Sequence, residues 1–428
     1  LLAVVCDKNK SALHPFELLL QVRIGHFLIM MMPTHTPSFL MIPGPTPLPD
    51  AVREVMSRPA MGHRSPEFKQ VLERVFPKLQ QMFQTQSPVL LYTASATGAI
   101  EAALSNTLNA GDTLLVLSCG VFSARWGDMA KTLGLNVQEI AVPAGQANTV
   151  ESLQQALKAD VQKQIKAVIF VHSETSTGAL NDVQAFAKAI AEHGALSIVD
   201  TVTGLTADPF KMDEWGIDLA ISGSQKGFMM QPGLSFLAVG PRALAAHQQV
   251  KNPGFYFNFT RNIKAQSQFT TAYTPATHLI LALDEALNLL LEEGLEAMNH
   301  RHHQLKAMVR AGVKALGLPL LVEADAQASP AVTAVYPPEG LDVGAIRKIL
   351  KNRFSITVAD GQNALKGKIF RIGHLGAINE RDVYMVLACL EQALLELGTS
   401  VRLGVAVAAA QQAANTYLQH HKKSLVTA

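Results

Sequence analysis

Between two apolar runs, Ile217-Asp218-Leu219-Ala220-Ile221 and Phe228-Met229-Met230, the chain carries Ser222-Gly223-Ser224-Gln225-Lys226-Gly227. A lysine set among small residues and between segments that read as buried is poorly placed for solvation. Desolvation penalises the ammonium form and lowers its pKa, and a lysine that can lose its proton is a nucleophile. A second titratable residue, Asp200, ends the apolar run Leu196-Ser197-Ile198-Val199. In open α/β sheets, ligands gather beyond the carboxyl ends of the strands, so an aspartate and a lysine at neighbouring strand ends can face one crevice. Pyridoxal phosphate requires such a pair: an amine to form a Schiff base with its aldehyde, and a carboxylate to keep its pyridine nitrogen protonated. In isolation Asp200 reads equally well as a helix or turn cap.

A cofactor with a phosphate also needs an anion cradle. Tyr92-Thr93-Ala94-Ser95-Ala96-Thr97-Gly98 runs from a strand pattern directly into the helical Ala99 to Leu108. Backbone N–H groups at that helix start, together with the Ser95 and Thr97 hydroxyls, suit a phosphate, with the helix dipole in support. Ordinary N-capping accounts for the same residues.

These positions need a scaffold. From Val89 to Val239, short apolar runs (89–92, 113–117, 167–171, 196–200, 219–222 and 235–239) alternate with helical patterns at 99–108, 124–133 and 183–193. Continuous apolar strands joined by helices predict a mostly parallel sheet covered on both faces, the large domain of an α/β protein. A long helical region over 277–316 then leads to a smaller α+β domain, with strand patterns near 331–336, 356–358 and 368–373 and helical patterns at 343–351 and 380–397. The Ala-rich tail from Val401 reads as one more helix.

With 428 residues, 48% hydrophobic and 16% charged, and a net charge of +2, the chain can bury a large core and offers no basic stripe for nucleic acid. Its three cysteines, Cys6, Cys119 and Cys389, are far apart, so neither a disulfide framework nor a metal cluster is written here. The cytoplasm is the default compartment. The run Phe27-Leu28-Ile29-Met30-Met31-Met32 is too short to span a bilayer. The first ~30 residues read as an overcalled upstream extension or a loosely ordered arm.

In this order, "TASATGAIEAAL", "HSETSTG", "IVDTVTGL", "SGSQKG" and "RIGHLG" resemble the class V aminotransferases, and within them the alanine:glyoxylate and serine:glyoxylate group. The similarity runs from "MIPGPTPLPD" at Met41 to about Leu397. It implies the type I fold of pyridoxal-phosphate transferases: an uncertain extension over 1–38, an N-terminal segment and cofactor-binding large domain over 39–300, a small C-terminal domain over 301–398 and a tail over 399–428.

The resemblance also implies roles. Lys226 becomes the Schiff-base lysine and Asp200 the partner of the pyridine nitrogen; Ser95, Ala96, Thr97 and Gln225 surround the phosphate. Thr175 lies near the ring and Phe122 stacks on it. Arg371, in "FRIGHLG", grips the substrate α-carboxylate, for which a guanidinium offers two parallel hydrogen bonds. Gly44, in "PGPTP", belongs to a segment that closes over the substrate, and Thr274, in "TAYTPATH", reaches the phosphate of the other subunit in a homodimer. The implied reaction is transamination from alanine or serine to glyoxylate. Phosphonate- or phosphoserine-type transamination is an alternative that requires extra cations in the pocket, with Arg125 and Arg261 as candidates. Another is a non-catalytic partner in a redox complex, because some cyanobacterial relatives carry a soluble hydrogenase small-subunit label.

Overall fold

The computed structural model describes residues 38–426, with side chains as far as Gln419; the extension over residues 1 to 37 lies outside the described residues. The strands of the first half are β1 (Phe39–Met41), β2 (Val89–Tyr92), β3 (Thr113–Ser118), β4 (Asn136–Ala141) and β5 (Ile165–Val171). A short hairpin follows, β6 (Ser173–Glu174) with β7 (Ala179–Leu180), and then β8 (Leu196–Asp200), β9 (Leu219–Gly223) and β10 (Ser235–Val239). Towards the C-terminus come β11 (Val332–Val335), β12 (Ile356–Asp360) and β13 (Phe370–Gly373).

Seven strands make the larger sheet, in the order β2-β10-β9-β8-β5-β3-β4, and only β10 runs against its neighbours. Its central strands β8, β9 and β10 are buried along their whole length, which is why they read as unbroken apolar runs. Two apolar clusters cover the two faces. One contains Phe68, Leu72, Phe170, Phe186 and Phe236, the other Ile100, Leu104, Val116, Ile169 and Ile198. The covering helices carry ordinary stop and start signals. Asp182 caps the Val183–His193 helix by accepting from the Ala185 amide, and the left-handed Gly194 ends it.

The smaller sheet has the order β1-β12-β13-β11. β1 lies parallel to β12, so the N-terminal strand joins the smaller sheet rather than the larger one. In the predicted long helix, Gly294 (φ 84°) separates two helices, Thr277–Glu293 and Leu295–Ala315. The Ala-rich tail forms the helix Val405–Val426, which packs chiefly on Leu295–Ala315 and buries Ala406, Ala410 and Ala414 in the core of the smaller sheet. The edge strand β4 went unpredicted because its sequence, Asn-Val-Gln-Glu-Ile-Ala, is largely solvated and has no apolar run. Among the described residues, no helix is long and apolar enough to cross a membrane, and no three His, Cys, Asp or Glu side chains group as metal ligands.

Candidate active site

The parallel strands of the larger sheet share one carboxyl edge, and the chain leaves five of them there to build a single cavity of about 240 Å³. Ser95, Ala96 and Thr97 follow β2, Phe122 and Trp126 follow β3, and Ser173 and Thr175 follow β5. Asp200 is the last residue of β8, and Gln225 and Lys226 lie in the turn after β9.

Lys226 is half-buried, and its Nζ donates to the Pro43 carbonyl at 2.7 Å. Desolvation pulls its ammonium down to about 8, with the charge of Asp200 opposing the fall and that of Arg371 adding to it. The segment before the first helix clasps this lysine: the Thr46 hydroxyl donates to the Lys226 carbonyl at 2.9 Å, and the Thr46 amide to the Gln225 carbonyl at 3.2 Å. Only glycine fits at 44, because a Cβ there would fall 2.5 Å from Lys226 Cδ and φ is +132°.

Asp200 is buried and accepts one backbone hydrogen bond, from Val202 N to Oδ1 at 3.1 Å. Burial pushes its carboxyl up to about 7; the Val202 amide and the Lys226 charge pull it back, while the charge of Glu174 adds to the rise. Glu174 is also buried, but it accepts five hydrogen bonds. They come from the amides of Phe122, Ser123 and Ser176 and from the hydroxyls of Ser123 and Ser176. Two of those amides belong to the first turn of the Val121–Thr132 helix, so Glu174 occupies that helix N-terminus.

The N-terminus of the Ala96–Thr107 helix is different. Its N-cap Ser95 makes no side-chain capping bond, and its first turn holds no acid. Apart from the Gly98 amide, which donates to the Ser95 carbonyl at 2.9 Å, the first-turn N–H groups point from this end with the Ser95 hydroxyl beside them, the arrangement that suits a phosphate. Inside the same cavity wall, Gln225 Oε1 and Trp126 Nε1 are buried with no regular hydrogen-bond partner among the described residues. An anion cradle, a half-buried lysine and an under-bonded buried aspartate on one wall match, in order, the phosphate, aldehyde and ring nitrogen of pyridoxal phosphate. The residues fit that cofactor.

Arg371 sits on β13, the central pairing partner of β11 and β12, and is buried. Its Nε donates to the Asp360 carbonyl and its Nη1 to the Thr175 carbonyl, both at 2.7 Å, tying the smaller sheet to the loop after β5. Burial lowers the guanidinium to about 10, so the group stays charged at neutral pH. Phe122 lines the cavity with Arg125 over its ring at 4.9 Å. Arg261 lies over Phe255, at 4.4 Å, away from the cavity. Thr274 lines a separate surface hollow with Tyr256 and Tyr273, whose rings stack at 4.9 Å. Cys119 is buried, and its thiol is pushed up to about 12 by burial and by the charge of Glu174, which suppresses the thiolate.

Glu174 and Trp126 were not singled out from sequence. Glu174 reads as one polar residue in a Ser/Thr loop, and Trp126 as a core aromatic. The available signal for Trp126 was its spacing of four from Phe122, which puts both on one helix face.

A mostly parallel sheet with this donor set at its carboxyl edge suits the class of enzymes that use pyridoxal phosphate. Residues 42–379 match the family model Aminotransferase class-V. The chain is 44% identical over 381 residues, 89% of its length and 99% of the relative's, to "Soluble hydrogenase, small subunit" of Synechococcus sp. (strain PCC 6716). It is 40% identical over 379 residues, covering 87% of this chain and 93% of the relative, to the serine–glyoxylate aminotransferase of Hyphomicrobium methylovorum. The crystal structure of ureidoglycine-glyoxylate aminotransferase from Bacillus subtilis superposes with a TM-score of 0.84 at 32% identity, covering 89% of this chain and 99% of that one. The chain belongs to the class V aminotransferases, which are enzymes that use pyridoxal 5′-phosphate.

Proposed function

We propose that the protein moves an amino group from alanine or serine to glyoxylate, giving glycine and the 2-oxo acid of the donor. The observation that carries this reading is the convergence of Lys226 and Asp200 on one cavity wall beside an open helix N-terminus. The acceptor is suggested by two of those relatives, the serine–glyoxylate and ureidoglycine-glyoxylate aminotransferases, whose names share glyoxylate while their donors differ. When bound, pyridoxal phosphate supplies an aldehyde carbon that takes the amino group and a ring that accepts the electron pair left by the departing α-proton.

Lys226 would hold the cofactor through its Nζ, and the same amine, its pKa lowered to about 8 by burial, would serve as the general base for the donor Cα proton. Asp200 keeps the ring nitrogen protonated. Ser95, Ala96, Thr97 and Gln225 hold the phosphate, Phe122 stacks on the ring and Thr175 flanks it. Arg371 presents Nη2, which makes no hydrogen bond among the described residues, to the donor carboxylate. Gly44 lets the Pro43–Thr46 segment close against Lys226. Thr274 serves the partner's phosphate in a homodimer; its place outside the chain's own cavity and the exposed Phe255 and Tyr256 beside it support that arrangement.

The test is a panel of amino donors and 2-oxo acids given to the wild type and to Lys226→Ala. Wild type should form glycine from glyoxylate with alanine or serine, and Lys226→Ala should lose both the visible absorbance of the bound cofactor and turnover. Glycine formation undiminished in Lys226→Ala, or none with either donor in wild type, would refute the proposal.

A further inference from the structure

We propose that Trp126 is a positioning residue for Asp200: its indole N–H holds the carboxylate ionised and aimed at the ring nitrogen of the cofactor. The inference rests on the reading of Asp200 given above.

Two unmet needs line the same cavity. Trp126 is 2% exposed and its Nε1 is a buried donor without a regular acceptor. Such an orphan costs about 1–3 kcal/mol, and buried tryptophans ordinarily satisfy it. Asp200 is a buried carboxylate with several acceptor positions and a single backbone donor. Both residues line the same cavity. The electrostatics agree, because the Trp126 indole favours the charged form of Asp200, as do Val202 and Lys226, against Glu174 and burial.

The element that carries Trp126 explains how the pair is held. Phe122 and Trp126 are one turn apart on the Val121–Thr132 helix and both face the cavity. The start of that helix is fixed by Glu174 through the Phe122 and Ser123 amides. One anchor thus sets two aromatic side chains, Phe122 at the position assigned to the ring face and Trp126 in the cavity lining it shares with Asp200. The bulk of Trp126 fills the wall, and its N–H serves Asp200.

Two replacements separate bulk from N–H. Trp126→Phe keeps an aromatic ring and removes the donor; β-(3-benzothienyl)alanine at 126 keeps the indole shape and removes only the N–H. Both should weaken pyridoxal phosphate binding to the full chain about 10–100-fold by equilibrium dialysis, the worth of one hydrogen bond to a charged group. They should also shift the pH midpoint of the absorbance of the bound cofactor. In an Asp200→Asn background the same replacements should cause no further loss, since a residue acting through Asp200 has nothing left to act on. Wild-type affinity and spectrum with the benzothienyl side chain would reduce Trp126 to packing and overturn the inference. So would an undiminished loss in the Asp200→Asn background. Asp200→Asn measured alone reports separately on the role of Asp200, so the two readings can fail independently.

Discussion

Glu174 and Asp200 are both buried carboxylates at the carboxyl edge of the larger sheet, one just past β5 and the other ending its neighbour β8, yet they are bonded in opposite ways. Glu174 accepts five hydrogen bonds and fills the N-terminus of one helix. Asp200 accepts one from the backbone, and burial holds its carboxyl at about 7. A buried carboxylate is tolerable when donors surround it and costly when they do not. The fully bonded acid is therefore part of the scaffold, while the under-bonded one keeps acceptor capacity for a cationic N–H brought by a ligand. The two helix N-termini repeat the lesson: the one met by Glu174 has its acid built in, and the one at Ser95 has none.

The contrast breaks most easily at Asp200. Asp200→Asn should cut turnover by about 100-fold or more, the scale on which a charge-stabilising active-site group counts. It should at the same time stabilise the cofactor-free protein. The carboxyl sits at about 7 when folded against 3.8 ordinarily, so between those values the folded state keeps a proton that the unfolded chain has released. Stability from this group is present at low pH and is lost as pH rises towards and through 7. Thermal unfolding should show cofactor-free Asp200→Asn melting above wild type at pH 8 and level with it near pH 4; equal melting at both would place Asp200 among the satisfied acids. Glu174→Ala should do the reverse and leave five donors without their acceptor, lowering unfolding free energy by about 2–4 kcal/mol in denaturant titrations. A change below about 0.5 kcal/mol would end its scaffold role. Smallest is Ser95→Ala, which should weaken pyridoxal phosphate about 3–10-fold and leave unphosphorylated pyridoxal unaffected. Equal weakening of both ligands would move Ser95 away from the phosphate.

The chemistry-bearing part of this arrangement was legible in sequence where an element is buried on both faces. The runs ending at Asp200 and leading to Lys226 announce themselves, because central strands of a covered sheet must be apolar throughout. Arg371 was reached through the family resemblance and not through its own pattern: a strand arginine is ordinarily a solvated edge residue, whereas β13 is a central strand and its arginine is held by the Asp360 and Thr175 carbonyls. Glu174 was hidden for the opposite reason, since its five donors are amides and hydroxyls from residues up to 52 positions away, and no local pattern encodes them. β1 has three residues, too few to show a period, and its sheet membership depends on pairing with β12.

That pairing has a mechanical result. β1 and β13, which carries Arg371, flank β12 in the same sheet, and within a few residues of β1 the chain becomes the Pro43–Thr46 clasp around Lys226. The arginine proposed to grip the substrate carboxylate and the clasp on Lys226 thus hang from one four-stranded sheet, so a displacement of that sheet would carry both.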